Sequence, residues 1–237
     1  MKNEKDILVK LGIETLNIMQ EKAKSAIQMN NEVMLLSPTG TGKTLAFVLP
    51  LIQQINVELK QVQLMIVVPS RELAIQIEQV IREMGSGVKV NAVYGGRSVK
   101  KDLIELEHEP QIIVGTPGRL ADHIRRDSLT ISSVKTLVLD EFDKSLEVGF
   151  DKEMQEITYA LKNVSKKVLT SATEGVNVPK FVGFNKPVIL DFLDQKKNKL
   201  VVQLALTKEK DKLSGLLKLL NHLGDEPGLI FCNFKSF

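Results

Sequence analysis

The chain has 237 residues, 43% of them hydrophobic, with a formal net charge of +3 and no tryptophan. That length suits one large α/β domain, or one and a half smaller ones, around a sizeable core. The excess charge sits in residues 194–237, which hold eight lysines against five acids, while the preceding 24 basic and 24 acidic residues cancel; bulk charge therefore excludes a broadly basic nucleic-acid-binding protein.

In chain order, the first six residues are charged and carry no apolar signal segment. An apolar run at residues 33–36 leads into Ser37-Pro38-Thr39-Gly40-Thr41-Gly42-Lys43-Thr44, and a helical run at 45–55 follows. Strand, glycine loop and helix ending in Gly-Lys-Thr make a phosphate-binding P-loop in its required context. Backbone N–H groups and the helix N-terminus converge there and favour an anion. Lys43 suits the outer phosphates of a nucleotide and Thr44 suits Mg²⁺. The first position is Ser37 where the general pattern has glycine; a small residue still fits. The apolar stretch at 45–52 is too short to span a bilayer, so no membrane partner is expected.

Further β-branched or apolar runs occur at 64–68, 89–94, 111–114, 136–139, 167–170 and 187–190, with helical patterns between most of them. After Arg71, residues Ile75, Ile77, Val80, Ile81 and Met84 give one largely apolar helical face. Strands that read as continuous apolar runs are buried on both faces. Alternating with helices, they predict an α/β fold with a doubly wound, mainly parallel sheet flanked by helices. Ligands of such sheets bind at the carboxyl ends of the strands, where the P-loop, Asp140 and Thr170-Ser171 all lie. At the end of the run 136–139, Asp140 suits the Mg²⁺ shell and Glu141 suits a water-orienting base. Asp and Glu also favour helix N-termini, which is the plainer reading of Asp140-Glu141-Phe142-Asp143 taken alone. The hydroxyls of Ser171 and Thr173 can hydrogen-bond a carboxylate, and Asp143 is the obvious one. Thr116 and Pro117 suit an N-cap and first helical position.

Residues 194–199 hold three lysines and no hydrophobe, and read as a linker. A strand at 200–206, a helix at 208–223 with Leu213, Leu216, Leu217 and Leu220 on one face, and a strand at 228–232 follow. Some forty residues cannot bury enough surface to stand alone. The expected organisation is a complete domain over 1–193 and the incomplete start of another over 200–237, whose helix face invites self-association. The single cysteine, Cys232, excludes an internal disulfide, and a cytoplasmic setting is expected, or a nuclear one in a eukaryote. His108, His123 and His222 are scattered without metal-ligand spacing and are expected at the surface.

The ordered set of residues 37–44, Pro69-Ser-Arg-Glu-Leu73, Gly95-Gly96, Thr116-Pro-Gly-Arg119, Asp140-Glu-Phe-Asp143 and Ser171-Ala-Thr173 resembles the N-terminal half of a DEAD-box RNA helicase of superfamily 2. Phe142 stands where the family name has alanine, and the three carboxylates are kept. The resemblance implies a RecA-like P-loop NTPase domain with ATP and Mg²⁺ as cofactors. It implies that Lys43, Asp140 and Glu141 are catalytic, that residues 37–44 hold the nucleotide, and that Thr44 and Asp140 hold the metal. Gln20 falls at the adenine-reading position, although Leu16-Asn17 replaces the usual Pro-Thr and the upstream aromatic is either missing or off the start of this sequence. Pro69, Arg71, Gly95, Gly96, Thr116, Gly118 and Arg119 would grip RNA sugar and phosphate with low sequence preference, Arg71 and Arg119 as charged contacts. Asp143, Ser171 and Thr173 would couple ATP state to RNA. Gly149-Phe150 matches a family packing element. The end of the chain resembles the first strand of a second RecA-like domain, and that domain carries the family's arginine fingers. The resemblance implies nucleotide binding with little turnover by this chain alone, and ATP-driven unwinding by the intact protein. A clamp-like binding module and a DNA helicase or unrelated P-loop ATPase are the competing readings.

Overall fold

Four aliphatic side chains in succession leave a strand without a polar face, so both sides must be covered. Leu64-Met65-Ile66-Val67 is such a run, and all four are buried. The computed structural model describes residues 3–173, 177–194, 204–206, 212–224 and 228–231. In it this run is β2 (Leu64–Val67) of a seven-stranded sheet. The other strands are β1 (Glu32–Leu36), β3 (Val90–Val93), β4 (Ile112–Gly115), β5 (Thr136–Leu139), β6 (Lys166–Ser171) and β7 (Val188–Asp191). The order is β3-β4-β2-β5-β6-β1-β7, and every pairing is parallel. All seven apolar runs therefore form strands of a parallel sheet.

Successive side chains of a strand point to opposite faces, which sorts the core into two layers. Leu64 and Ile66 pack with Phe47 and Ile77 on one side, whereas Met65 and Val67 pack with Phe142 and Met154 on the other. The first layer is roofed by α1 (Glu4–Lys10), α2 (Ile18–Met29), α3 (Lys43–Ile52) and α4 (Arg71–Met84). After α5 (Val99–Leu106), the second is roofed by α6 (Pro117–Arg125), α7 (Phe142–Glu147) and α8 (Asp151–Ala160). Phe150 packs against this second layer, in keeping with a structural role for Gly149-Phe150. The sheet edge at β3 is shielded by side chains. Glu78 accepts from Ala92 N–H at 3.2 Å, Arg82 donates to Val90 C=O at 3.3 Å, and Arg97 donates to Ala92 C=O at 2.8 Å. Occupying these groups removes a template for strand addition.

Three expectations about the first unit need correction. Helix α3 ends at Ile52, three residues short of the expected end, and the chain leaves through tighter turns, Gln54 N–H to Leu51 C=O and Ile55 N–H to Ile52 C=O. Pro50 lacks the N–H that would bond the Ala46 carbonyl, so the last turn is weakened. On α4 the buried face is Ala74, Ile77, Ile81 and Met84, and Ile75 is turned to solvent. Two residues along a helix is about 200° of rotation, so Ile75 cannot share the face that buries Ile77. His123 is fully buried between Asp102 Oδ2 (3.0 Å) and Ser128 Oγ (2.8 Å), because both ring nitrogens find partners there. His108 and His222 are exposed as expected.

The chain divides into two compact units, residues 1–195 and 196–237. In the second, α9 (Lys212–Leu223) buries no side chain. The expected strands at 200–206 and 228–232 do not appear in their described parts, 204–206 and 228–231. A strand persists only where its N–H and C=O groups meet a ladder partner, and the described residues of this unit offer none. Residues 200–203, 208–211 and 232, and most of the expected linker, lie outside the described residues. Among the described residues no helix is long and apolar enough to cross a membrane.

Gly115 ends β4 where β3 and α6 press in. A Cβ there would lie 2.7 Å from Val93 O and 2.8 Å from Leu120 Cγ. The carbonyl is fixed in the sheet and cannot yield. Gly115→Ala is expected to destabilise the fold by about 1–3 kcal/mol through overpacking. A urea midpoint unchanged from wild type would contradict this.

Candidate functional site

The site grows from three neighbouring strand tips. Strands β1, β6 and β5 lie side by side, with Leu36 opposite Ser171 and Leu139 opposite Leu169. The residues after β1 and β5 and the last two of β6 therefore leave the sheet at one level. Ser37 N–H donates to Ser171 C=O at 3.0 Å and Asp140 N–H to Val67 C=O at 2.9 Å, so the ladder continues into the loops.

The P-loop is braced from within. Thr41 Oγ1 donates to Pro38 C=O at 2.8 Å and accepts from the buried Ser37 hydroxyl at 2.8 Å. Asn17 Nδ2 holds Thr41 C=O at 3.1 Å. Gly42 starts α3 in the left-handed region at φ 86°, where side chains are strained. A Cβ there would also sit 2.5 Å from Gln20 Nε2. Lys43 is buried, and its ammonium folds back on its own loop, 2.6 Å from Ser37 O and 3.2 Å from Pro38 O. Burial lowers its pKa, and the carboxylates of Asp140, Glu141 and Asp143 oppose that shift.

Gln20 sits in the first turn of α2. Asn17 caps that helix, accepting from Gln20 N–H at 2.9 Å, while Gln20 Oε1 accepts from Asn17 N–H at 2.9 Å. This reciprocal capping box explains why asparagine serves at this position. Gln20 Nε2 donates to Gly42 C=O at 3.3 Å. The amide is thus buried and bonded at both ends, and is not an exposed helical glutamine.

The acidic tips are organised by β6. Asp140 is buried and accepts a short hydrogen bond from the Thr170 hydroxyl. Burial pushes its pKa up to about 6; the Thr170 hydrogen bond lowers it, Glu141 adds to the rise, and Lys43 opposes it. Glu141, a non-glycine in the left-handed region at φ 48°, donates its N–H to Thr170 Oγ1 at 3.0 Å. Asp143 Oδ2 accepts from Thr173 Oγ1 at 3.0 Å and Ala172 N–H at 3.2 Å. The Ser171 hydroxyl instead donates to Thr173 C=O at 3.1 Å, so the expected link to Asp143 runs through Thr173 and a backbone amide. Among the described residues, Asp143 Oδ1 is buried without a hydrogen-bond partner.

A cleft of about 430 Å³ joins Gln20, Thr39, Lys43, Thr44, Asp140 and Glu141, with Leu11 and Ile13 as an apolar wall. These residues fit a nucleotide with its metal. The cradle holds one buried ammonium already spending two donors on carbonyls, and a carboxylate stands on the neighbouring strand tip. Among the described residues no cluster of three His, Cys, Asp or Glu could hold an ion by protein ligands alone. Mg²⁺ asks for less: one or two carboxylates, with phosphate oxygens and water filling the rest.

A second group of predicted residues lies at the tips of β2, β3 and β4. Ser70, after Pro69, caps α4 by accepting from Leu73 N–H at 3.2 Å. Arg71 opens that helix and is exposed, paired at its Nε with the equally open Glu72. Gly95 and Gly96 are exposed. Thr116 and Pro117 take the N-cap and first positions of α6, with Gly118 beside them, although the Thr116 side chain makes no cap bond. Arg119 is different. Its guanidinium donates to Tyr94 C=O at 3.1 Å and to Arg97 C=O, and pairs with the buried Asp102 at 3.3 Å. Only 9% of its side chain is exposed, so its charge is spent inside the protein. Sequence reasoning missed Asp102, Arg97 and the role of Thr170. Arg97 lies over the Tyr94 ring at 4.8 Å and pairs with Asp102 and with Glu105 at 2.6 Å. The available signals were an arginine directly after Gly95-Gly96 and a hydroxyl at the end of an aliphatic run.

The sequence profile of the DEAD/DEAH box helicase family matches residues 17–181, more than half of the chain. The chain belongs to the DEAD/DEAH box helicase family. This DEAD-box chain is 39% identical over 164 residues to the ATP-dependent RNA helicase CshA of Limosilactobacillus reuteri, covering 68% of this chain and 33% of that one. It is 34% identical over 233 residues to CshA of Listeria monocytogenes, covering 95% and 45%. It is 33% identical over 227 residues to the ATP-dependent RNA helicase DHH1 of Yarrowia lipolytica, covering 94% and 44%. The crystal structure of a DEAD box protein from the hyperthermophile Methanococcus jannaschii superimposes with a TM-score of 0.67 at 32% identity, covering 77% of this chain and 50% of that one. The DEAD-box chain thus spans less than half the length of these three curated relatives. Its Phe142 is fully buried in the second core layer and fills the space under α7.

The raised pKa of Asp140 sets a pH dependence. A carboxyl held above its ordinary value of 3.8 destabilises the ligand-free fold once ionised; the cost is complete above about pH 6 and fades as pH falls towards 4. Asp140→Asn keeps the acceptor for Thr170. It is expected to stabilise the ligand-free protein by about 3 kcal/mol at pH 7.5 and by roughly half that at pH 5. Equal urea stability of variant and wild type at pH 7.5 would contradict the assignment.

Proposed function

We propose that this chain is the ATP- and RNA-binding half of a DEAD-box RNA helicase, whose intact form couples ATP hydrolysis to local unwinding of RNA duplexes. The observation that carries the reading is the cleft in which Lys43, Thr44, Asp140, Glu141 and Gln20 converge from adjacent elements. Its relatives, which are ATP-dependent RNA helicases, support it. We assign residues 1–193 to the N-terminal RecA-like domain, 194–199 to a linker and 200–237 to the start of a second such domain.

Lys43 leaves the Ser37 and Pro38 carbonyls for the β- and γ-phosphates, and the amides of residues 37–44 complete the cradle. Thr44 and Asp140 hold Mg²⁺, which neutralises charge on the phosphoryl oxygens when bound. Glu141 orients the attacking water, its backbone already bent outwards. Gln20 reads the adenine edge by giving up its bond to Gly42. Asp143 and Thr173 report on the nucleotide to the rest of the domain, and Ser171 supports Thr173.

RNA lies across the tips of β2, β3 and β4. Arg71 supplies the exposed charge, the amides around Pro69, Gly95, Gly96, Thr116 and Gly118 supply close approach, and Arg119 buttresses the loop from below. Contacts of this kind hold phosphate and sugar without reading bases. An arginine finger of a second domain contributes roughly 10³–10⁵ in rate in related phosphoryl transfers. Residues 1–237 taken by themselves are expected to bind nucleotide and to turn it over slowly. The leucine face of α9 serves association, with the remainder of a second domain or with a second copy. A chain with one cysteine and no possible internal disulfide suits a cytoplasmic setting.

Two measurements test the reading. Lys43→Ala is expected to weaken binding of a fluorescent ATP analogue by roughly a hundredfold while the protein stays folded; binding within a few-fold of wild type would remove the P-loop from the site. In the intact helicase, Arg71→Ala is expected to weaken single-stranded RNA binding uniformly across sequences and to flatten its salt slope by about 0.7. An unchanged slope would take Arg71 off the RNA.

A further inference from the structure

Thr170 is a buried hydroxyl next to the end of β6, directly after Val168 and Leu169, and the proposed function gives it no role. Its neighbours in β6, Val168 and Leu169, belong to the core. Leu139 of β5 faces Leu169 in register, which sets Asp140 one step further on, beside Thr170. Leu35 of β1 faces Thr170 on the other flank. The hydroxyl thus sits at the seam between the P-loop strand and the acidic strand.

A threonine hydroxyl has one proton to give and two lone pairs to offer. Here Oγ1 accepts from Glu141 N–H at 3.0 Å, and its proton goes to Asp140 Oδ1. Both partners are demanding. Asp140 is buried, so its carboxylate needs a donor. Glu141 is in the left-handed region at φ 48° and ψ 51°, a conformation that persists only when surroundings hold it. One atom therefore fixes the carboxylate rotamer of Asp140 and the backbone bend that turns Glu141 out of the strand line. An aliphatic residue in this place would fill the same space and do neither.

We infer that Thr170 is a positioning residue of the nucleotide site, whose hydroxyl orients Asp140 and the Glu141 backbone for Mg²⁺-nucleotide. The inference rests on the proposed function. It concerns the metal-dependent part of binding and leaves the phosphate cradle to the P-loop, because Thr170 touches no residue of that loop in the hydrogen bonds described. Removing the hydroxyl lets the Asp140 carboxylate rotate away and leaves the half-buried Glu141 N–H without this partner.

The test compares Thr170→Val and Thr170→Ser in the full 237-residue chain, titrating a fluorescent ADP analogue with Mg²⁺ and with EDTA. Wild type is expected to bind more tightly with Mg²⁺. Thr170→Val is expected to lose about tenfold in the Mg²⁺ arm and to match wild type in the EDTA arm. Thr170→Ser is expected to stay within about threefold of wild type in both arms. Should Thr170→Val fail to fold, Thr170→Ala is read in the same two arms with the same expectation. Equal loss in both arms, an unchanged Mg²⁺ increment, or a serine variant as impaired as valine would each overturn the positioning role. A wild-type chain that binds no nucleotide in either arm would overturn the proposed function itself, and the inference with it.

Discussion

Three parallel strands, β1, β6 and β5, end at the same height because their hydrogen-bond register fixes how far each has advanced. A slip of one residue in any of them would turn its side chains to the opposite face and separate the P-loop from the carboxylates. The register is locked by burial on both sides of the sheet. Val33 and Val168 must meet one core layer, Met34, Leu137 and Leu169 the other, and Leu35 a smaller cluster with Met19, Ala23, Ala46 and Phe192. The chemistry-bearing residues are the first ones beyond that lock. Core packing thereby sets the geometry of the candidate nucleotide site, with no loop having to find its own way.

The two ends of the sheet serve different purposes. At the β1–β6–β5 tips, polar groups are buried, short of partners or folded onto carbonyls, as for Lys43 and Asp143. Such groups are held ready for something of opposite charge or complementary hydrogen bonding. At the β2–β3–β4 tips the buried charges are already matched to one another. Asp102 is surrounded by Arg97, Arg119 and His123, and the guanidinium of Arg119 pins the loop at Tyr94 and Arg97 from inside. A surface that binds an extended phosphate chain needs a rigid floor more than a reactive one.

Most of this was legible in the sequence, for reasons that can be stated. All seven strands were found because doubly buried strands leave uninterrupted aliphatic runs, and the P-loop because its glycine spacing is set by backbone sterics. What escaped was set by tertiary partners. His123 looks like any polar residue on a helix until Asp102 and Ser128 come from elsewhere to satisfy it. Arg119 looks like a phosphate ligand until the carbonyls it caps are folded beneath it. Ile75 and Ile77 are both aliphatic, and the packing of Ala74, Ile77, Ile81 and Met84 together on the core decides which is buried. The two strands expected near the end of the chain had the right composition, but their described parts, 204–206 and 228–231, meet no ladder among the described residues.

The central claim is that the ammonium of Lys43, now on the Ser37 and Pro38 carbonyls, stands in the place a nucleotide phosphate will claim. The most direct test is a crystal structure of this chain with Mg²⁺ and a non-hydrolysable ATP analogue. The account predicts phosphate density within the loop of residues 37–44, Lys43 Nζ moved off both carbonyls onto phosphate oxygen, and the metal between phosphate and the Thr44–Asp140 side. Nucleotide bound elsewhere, or bound there with Lys43 still on Ser37 O, would contradict it.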